Sequence, residues 1–90
     1  MTLDEVKDTI IEFGGAEDAL VMDDFAESCI GVSEDGRAVY SYYLMLEEFM
    51  EKNGGTVDEA IEYLDFNTLR AIEYMGEMRP IMVYLFPQFT

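Results

Sequence analysis

Ninety residues carrying twenty Asp and Glu, five Lys and Arg and no histidine have a net charge of −15. A charge of that size leaves two outcomes: a disordered segment, or a fold that displays its carboxylates around a packed core. High net charge with few apolar residues keeps a chain disordered, because burial cannot offset chain entropy. Here half the residues are hydrophobic, six are Phe and six are Tyr, and the apolar residues recur in periodic runs between turn signals. A packed core is the consequence, with the acid on its surface. Solubility needs a magnitude of only about 2 to 8, so the excess points to a strongly positive partner. At this length one domain with one core is expected, of modest stability, lowered further by a self-repulsion that salt eases.

Thr2-Leu3-Asp4-Glu5 has the form of a capping box, in which the Thr hydroxyl accepts from the backbone N–H three residues on and the Glu reaches back. It predicts a helix with Leu3, Val6, Ile10 and Phe13 inward, closed by Gly14-Gly15. Residues 16–27 match neither period and read as loop or a short helical turn. Residues 28–32 and 37–41 read as strands separated by Ser33-Glu34-Asp35-Gly36, with Asp35-Gly36 in the left-handed positions of a tight hairpin. A second helix is expected from Tyr42 to Lys52, with Tyr43, Leu46, Phe49 and Met50 inward, stopping at Asn53-Gly54-Gly55. Thr56-Val57-Asp58-Glu59 repeats the capping box, and Val57, Ala60, Ile61 and Leu64 form the stripe of its helix.

Asp65-Phe66-Asn67 breaks that helix with two N-cap candidates, and Leu69, Ala71, Ile72 and Met75 make a further helix ending at Gly76. Pro80 opens Ile81-Met82-Val83-Tyr84-Leu85-Phe86, apolar on both faces. Such a run is a central strand covered on both sides, or an edge covered by a partner. Two hairpin strands alone are marginal, so the third is expected to join them. The predicted fold class is therefore α+β: one small domain over residues 1–90, in the order αββαααβ, with a three-stranded sheet of hairpin plus C-terminal strand packed by helices.

Ile30-Gly31-Val32, Gly36-Arg37-Ala38-Val39-Tyr40, Asp58-Glu59-Ala60-Ile61-Glu62-Tyr63, Asn67-Thr68-Leu69-Arg70-Ala71 and Pro80-Ile81-Met82-Val83-Tyr84 occur in that order. Together they resemble a family of small acidic bacterial and mobile-element proteins. The likeness runs from Cys29 to Tyr84, and where the family carries a Tyr-Asp-Tyr-Asp pattern this chain reads Tyr40-Ser41-Tyr42-Tyr43. The resemblance implies a compact α+β domain and brings neither an activity nor functional residues.

Catalytic chemistry has little to draw on. Without histidine the commonest general base and metal ligand is missing, and the lone Cys29 has no imidazole to activate it. Cys29 sits in an apolar run and reads as a buried small hydrophobe rather than a reactive thiol. Carboxylate pairs serve as acid and base only where a pocket raises one pKa, and the sequence shows no pocket. Asp23-Asp24 and Glu34-Asp35 lack calcium-loop spacing. The Gly-Gly pairs follow helices, without the Lys or Arg cluster of a phosphate site. A non-enzymatic protein with no cofactor and no metal is expected. No run approaches the roughly 18 to 20 apolar residues of a membrane span. The start Met1-Thr2-Leu3-Asp4-Glu5-Val6 is acidic where a secretory leader is basic, so a soluble cytoplasmic protein of a bacterial host cell is expected.

Asp4, Asp8 and Glu12 lie at successive i+4 positions, Glu47 and Glu51 repeat the step, and Asp58, Glu62 and Asp65 continue at i+4 and i+7. Each helix is thus expected to carry an acidic stripe opposite its core stripe. Like charges at i+4 cost roughly 0.2 to 0.5 kcal/mol per pair, and Glu48 to Lys52 is the one favourably ordered pair of that kind. Asp4, Glu5, Asp58 and Glu59 occupy first turns that the helix dipole favours, whereas Glu12, Glu47, Glu51, Glu62 and Asp65 do not. Acids at i+4 rise about 6 Å along a helix, a step that engages neighbouring side chains of the Lys and Arg grooves with which proteins meet nucleic acid.

Asp8, Glu12, Glu47, Glu51, Glu62 and Asp65 are therefore the candidate partner-binding residues. The reading they carry is a nucleic-acid mimic that inhibits a DNA- or RNA-binding protein, such as a bacterial defence nuclease opposed by a phage gene. Such a protein binds a basic protein surface and neither nucleic acid nor membrane. An acidic cytosolic adaptor or oligomeric structural domain is the alternative, and an antitoxin a further one. Six tyrosines and seven methionines exceed what one small core hides, although most are expected to be core or half-buried. Leu85-Phe86-Pro87-Gln88-Phe89 is the candidate exposed patch, and Tyr84, Leu85 and Phe86 the candidate apolar interface for an adaptor or a homodimer.

Overall fold

The Thr2 capping box sets the first helix. In the computed structural model, which describes residues 1–89, the Thr2 hydroxyl accepts from the Glu5 N–H and the Glu5 carboxylate accepts from the Thr2 N–H, each at 3.2 Å. The resulting α1 (Leu3–Glu12) buries Val6 and Ile10. It closes where expected: Gly15 N–H donates to the Ile10 carbonyl at 2.7 Å and Gly14 N–H to that of Ile11 at 3.1 Å, with Gly14 at φ 94°. That pair of bonds is the Schellman closure. Phe13, expected inward, is 74% exposed; it is the C-cap, following the last helical residue.

A 3₁₀ turn (Ala26–Ser28) leads into β1 (Cys29–Val32) and β2 (Ala38–Ser41). α2 (Tyr42–Asn53), α3 (Val57–Tyr63), a π turn (Leu64–Thr68) and α4 (Leu69–Glu73) follow, then β3 (Ile81–Val83) and a 3₁₀ turn (Pro87–Phe89). The class is the predicted α+β, and the order roughly matches the predicted αββαααβ, except that α3, the π turn and α4 run on without a break. The sheet runs β1-β2-β3, with β1 antiparallel and β3 parallel to β2. Parallel pairing requires a crossover, which the three helices supply. β3 is an edge strand of three residues, so of the two readings of the six-residue run the central strand is excluded.

The hairpin turn also differs in detail. Gly36 N–H donates to the Ser33 carbonyl at 3.0 Å and Ser33 N–H to that of Arg37 at 2.8 Å, with Gly36 at φ 87°. Among described non-glycine residues only Phe25 has positive φ, so Asp35 does not share the left-handed position. The loop has three residues closed by one αL glycine, the next most common hairpin form. On the β1 side the register slips at Ile30, a β-bulge between Cys29, opposite Tyr40, and Gly31, opposite Val39.

α2 turns the predicted Leu46, Phe49 and Met50 inward but not Tyr43. Tyr42, Met45 and Leu46 are buried and Phe49 half-buried, whereas Tyr43 faces out. Its opening residues, Tyr42 to Leu46, are all apolar, and the phase is set from outside by Ser41, whose hydroxyl accepts from the Leu44 N–H at 3.4 Å directly after the buried Tyr40. The second capping box is half formed: the Thr56 hydroxyl accepts from the Glu59 N–H, while the Glu59 carboxylate meets that hydroxyl and not the Thr56 N–H. Val57 is exposed, and Ala60 and Leu64 are buried.

Asp65-Phe66-Asn67 does not break the helix. The backbone stays helical and takes one wide turn, with Leu69 N–H donating to Leu64 five residues back. One extra residue makes the eight-residue step from Leu64 to Ile72 equivalent to seven, so both face the core. The loop before β1 contributes as well, burying Met22 and Phe25. The core so formed centres on Val6, Tyr40, Met45 and Leu64.

Two stability outcomes follow from these contacts. A Cβ on Gly36 would stand 2.8 Å from the Ala16 nitrogen as well as forcing a side chain to positive φ. Gly36→Val is therefore expected to cost about 1 to 3 kcal/mol, read as a lower melting temperature; equal melting would contradict the turn. Burial pushes the Tyr40 and Tyr42 hydroxyls up to about 12, helped at Tyr42 by its hydrogen bond to Asp65. Because both are raised above the ordinary value of 10.0, their contribution is complete below about pH 10 and lost as pH rises through about 12. Circular dichroism is expected to show alkaline unfolding in that window, and Tyr42→Phe to blunt it.

Candidate functional site

Nineteen of the twenty carboxylates are exposed; Glu48 alone is buried. Few find a cation. Among the described residues the ion pairs are Glu27 with the Met1 amino group, Asp35 with Arg37 and Glu48 with Lys52. Arg70 lies 5.2 Å over the Phe66 ring, and Arg79 donates to the Gly76 carbonyl at 3.0 Å. Four of the five Lys and Arg side chains are thus engaged locally, and the acidic surface is left largely uncompensated.

Asp8, Glu12, Glu47, Glu51, Glu62 and Asp65 are all exposed. Asp8 and Glu12 continue the line from Asp4 along the face of α1 opposite its buried Val6 and Ile10, and Glu47 and Glu51 form the corresponding line on α2. α2 and α3 pack against each other, bringing the second and third stripes onto adjoining helices. Asp65 differs from the rest. Its Oδ1 accepts from the Tyr42 hydroxyl at 3.1 Å, so it also holds the π turn to α2.

Sequence reading recognised the Glu48–Lys52 pair but not its place. Glu48 is 6% exposed and accepts from Ser28 Oγ at 2.8 Å and from Lys52 Nζ at 2.9 Å. The Glu48 carboxylate holds the Lys52 ammonium above its ordinary pKa, with Asp24 and Glu27 adding their charge. The signal was present in the helix phase: once Met45 faces inward, a residue three positions later lies on the same side.

Between α1 and β1 lies an apolar groove of about 440 Å³, lined by Val6, Ile10, Phe13, Cys29 and Ile30 among others. Cys29 is half-buried, less enclosed than expected, and desolvation raises its pKa against the opposing pull of the Gly31 and Val39 N–H groups. The thiol is accordingly neutral near pH 7. No group of three or more Asp, Glu or Cys with metal-holding geometry occurs among the described residues, and none of their helices is long and apolar enough to cross a membrane.

The candidate apolar interface is only partly assembled. Tyr84 and Phe86 are exposed and Leu85 half-buried. Tyr84 stacks on Tyr42 with centroids 4.7 Å apart, and Tyr43 meets Tyr42 edge-on at 6.2 Å. The side chain of Phe89 lies outside the described residues. Six of the seven methionines are buried or half-buried, but Tyr43, Tyr63, Tyr74 and Tyr84 are exposed, leaving only Tyr40 and Tyr42 in the core.

Glu48→Ala strands the buried Ser28 hydroxyl and is expected to cost about 1 to 3 kcal/mol. Glu48→Gln keeps an acceptor for Ser28 and forfeits only the ion pair to a half-exposed Lys52, about 1 kcal/mol or less. Urea denaturation midpoints check the ranking, and equal losses in the two variants would contradict it. No family model, curated protein or solved structure matches the chain.

Proposed function

We propose that the protein is a non-enzymatic acidic binding protein that occupies a basic, nucleic-acid-binding groove of a partner protein and inhibits it by mimicking the phosphate backbone. The observation that carries this reading is the exposure of nineteen carboxylates against three ion pairs among the described residues. A surface meant only for solubility interleaves both signs. Here Asp8–Glu12 and Glu47–Glu51 stand at helical steps of about 6 Å, on elements that a packed core keeps rigid. Rigid placement lowers the ordering cost of association, and complementary potential raises its rate and selectivity. A bacterial cytoplasmic setting, a defence nuclease as target, and kinship with the mobile-element proteins its motifs resemble belong to the same proposal.

The test uses Asp8, Glu12, Glu47, Glu51 and Glu62, leaving Asp65 intact because it holds Tyr42. Capture of a basic nucleic-acid-binding partner from host extract is expected to weaken with salt and to be competed by that partner's own nucleic acid. Reversal of the five acids to Lys is expected to abolish capture while circular dichroism stays native. The protein alone is expected to leave labelled DNA and RNA unshifted at low salt. Capture that survives both salt and reversal, or a direct gel shift, would overturn the proposal; loss on Phe86→Ala instead would favour an adaptor docking through its apolar side chains.

A further inference from the structure

We propose that the free edge of β3 pairs antiparallel with the β3 edge of a second copy of this chain, giving a two-fold dimer with a continuous sheet. Both β1 and β3 are edges, since each pairs only with β2. Exposed edges invite strand addition unless a bulge, a charge or a proline blunts them. β1 carries the bulge at Ile30, whereas Ile81–Val83 themselves hold no bulge, charge or proline, Arg79 and Pro80 standing just before them. The β3 residues Ile81, Met82 and Val83 are apolar and half-buried, so the strand offers backbone groups flanked by apolar side chains.

Charge selects the occupant. Residues 78–90 contain no Asp or Glu and one Arg, in a chain of net charge −15. A basic partner gains little from such an edge, and it is the segment on which two like-charged copies repel least. The two ends of the strand also carry different charged groups. Before β3 stands the exposed Arg79, with Arg37 Nη1 donating to its carbonyl at 3.4 Å. After β3 comes Tyr84, stacked on the Tyr42 ring whose hydroxyl donates to Asp65. Antiparallel pairing brings the Arg end of one copy to the Asp65 end of the other. Setting Arg79 opposite Leu85, beside Tyr84, centres the pair on Met82. Such an interface is isologous and closes at two copies. Tyr84 and Phe86, 58% and 69% exposed, add apolar area beside it.

An edge of three residues makes a small interface, and interfaces below about 1,200 Å² are transient. Sedimentation equilibrium is therefore run up to roughly 1 mM protein, in the range of weak association. The mass is expected to move from one 10.3 kDa chain toward two as concentration rises. Association is expected to tighten as salt rises from about 0.01 to 0.15 M, where screening relieves net repulsion, the opposite of the salt dependence of the basic partner. Arg79→Glu, at an exposed residue whose guanidinium meets a carbonyl, is expected to weaken the dimer about tenfold without changing the melting temperature. In a Cys29→Ser background, Met82→Cys is expected to oxidise to a disulfide dimer faster than the exposed control Asp58→Cys, because two-fold pairing sets residue 82 against itself. A single-chain mass throughout, or cross-linking at 82 no faster than at 58, would overturn the proposal.

Discussion

Tyr40 joins the loop before β1 to the central strand of the sheet. Its ring is fully buried in the central strand, and its hydroxyl accepts from the Met22 N–H at 3.0 Å. That bond fixes a loop with no periodic signal of its own and so positions Met22 and Phe25 in the core. On either side of Tyr40 the strand pairs with both neighbours, and the next residue, Ser41, caps α2. A buried hydroxyl left without its partner is costly, so the loop, the sheet and the phase of α2 depend on one another.

The charge shapes the same architecture. Nineteen carboxylates are excluded from the interior, leaving a core drawn mainly from one face of each helix and one strand. The exception is instructive. Glu48 is buried where a hydroxyl and an ammonium meet it, and it ties α2 to the 3₁₀ turn before β1. Burying a charge is tolerated when partners satisfy it, and the remaining acids, lacking such partners, stay in water.

Local chemistry was legible in the sequence where it decides structure by itself. The Thr2–Glu5 box, the Gly14-Gly15 closure and the positive φ of Gly36 needed no tertiary information. What escaped was set by distant contacts. Two stripes on α2, through Tyr42 or through Tyr43, have equal helical spacing, and only the arrival of the chain from β2 selects the first. Asp65 and Asn67 resemble caps, yet Asp65 accepts from Tyr42 and Asn67 donates to the Tyr63 carbonyl within a continuous helix. The six-residue apolar run shortens to three because β2 offers only Val39, Tyr40 and Ser41 to pair with it. Exposure of the acidic stripes followed from periodicity, whereas the structural duty of Asp65 and the burial of Glu48 did not.

The functional proposal rests on acids that the fold displays but does not neutralise. Such a surface destabilises the protein that carries it, and that penalty is measurable without knowing the partner. Melting temperature recorded from about 0.01 to 1 M NaCl, where the Debye length falls from about 30 to 3 Å, reads it directly at a concentration low enough to keep the chain monomeric. Uncompensated repulsion requires the melting temperature to rise with salt. A melting temperature that falls would mean that internal ion pairs dominate, and would contradict the view of this surface as a negative field held ready for a basic groove.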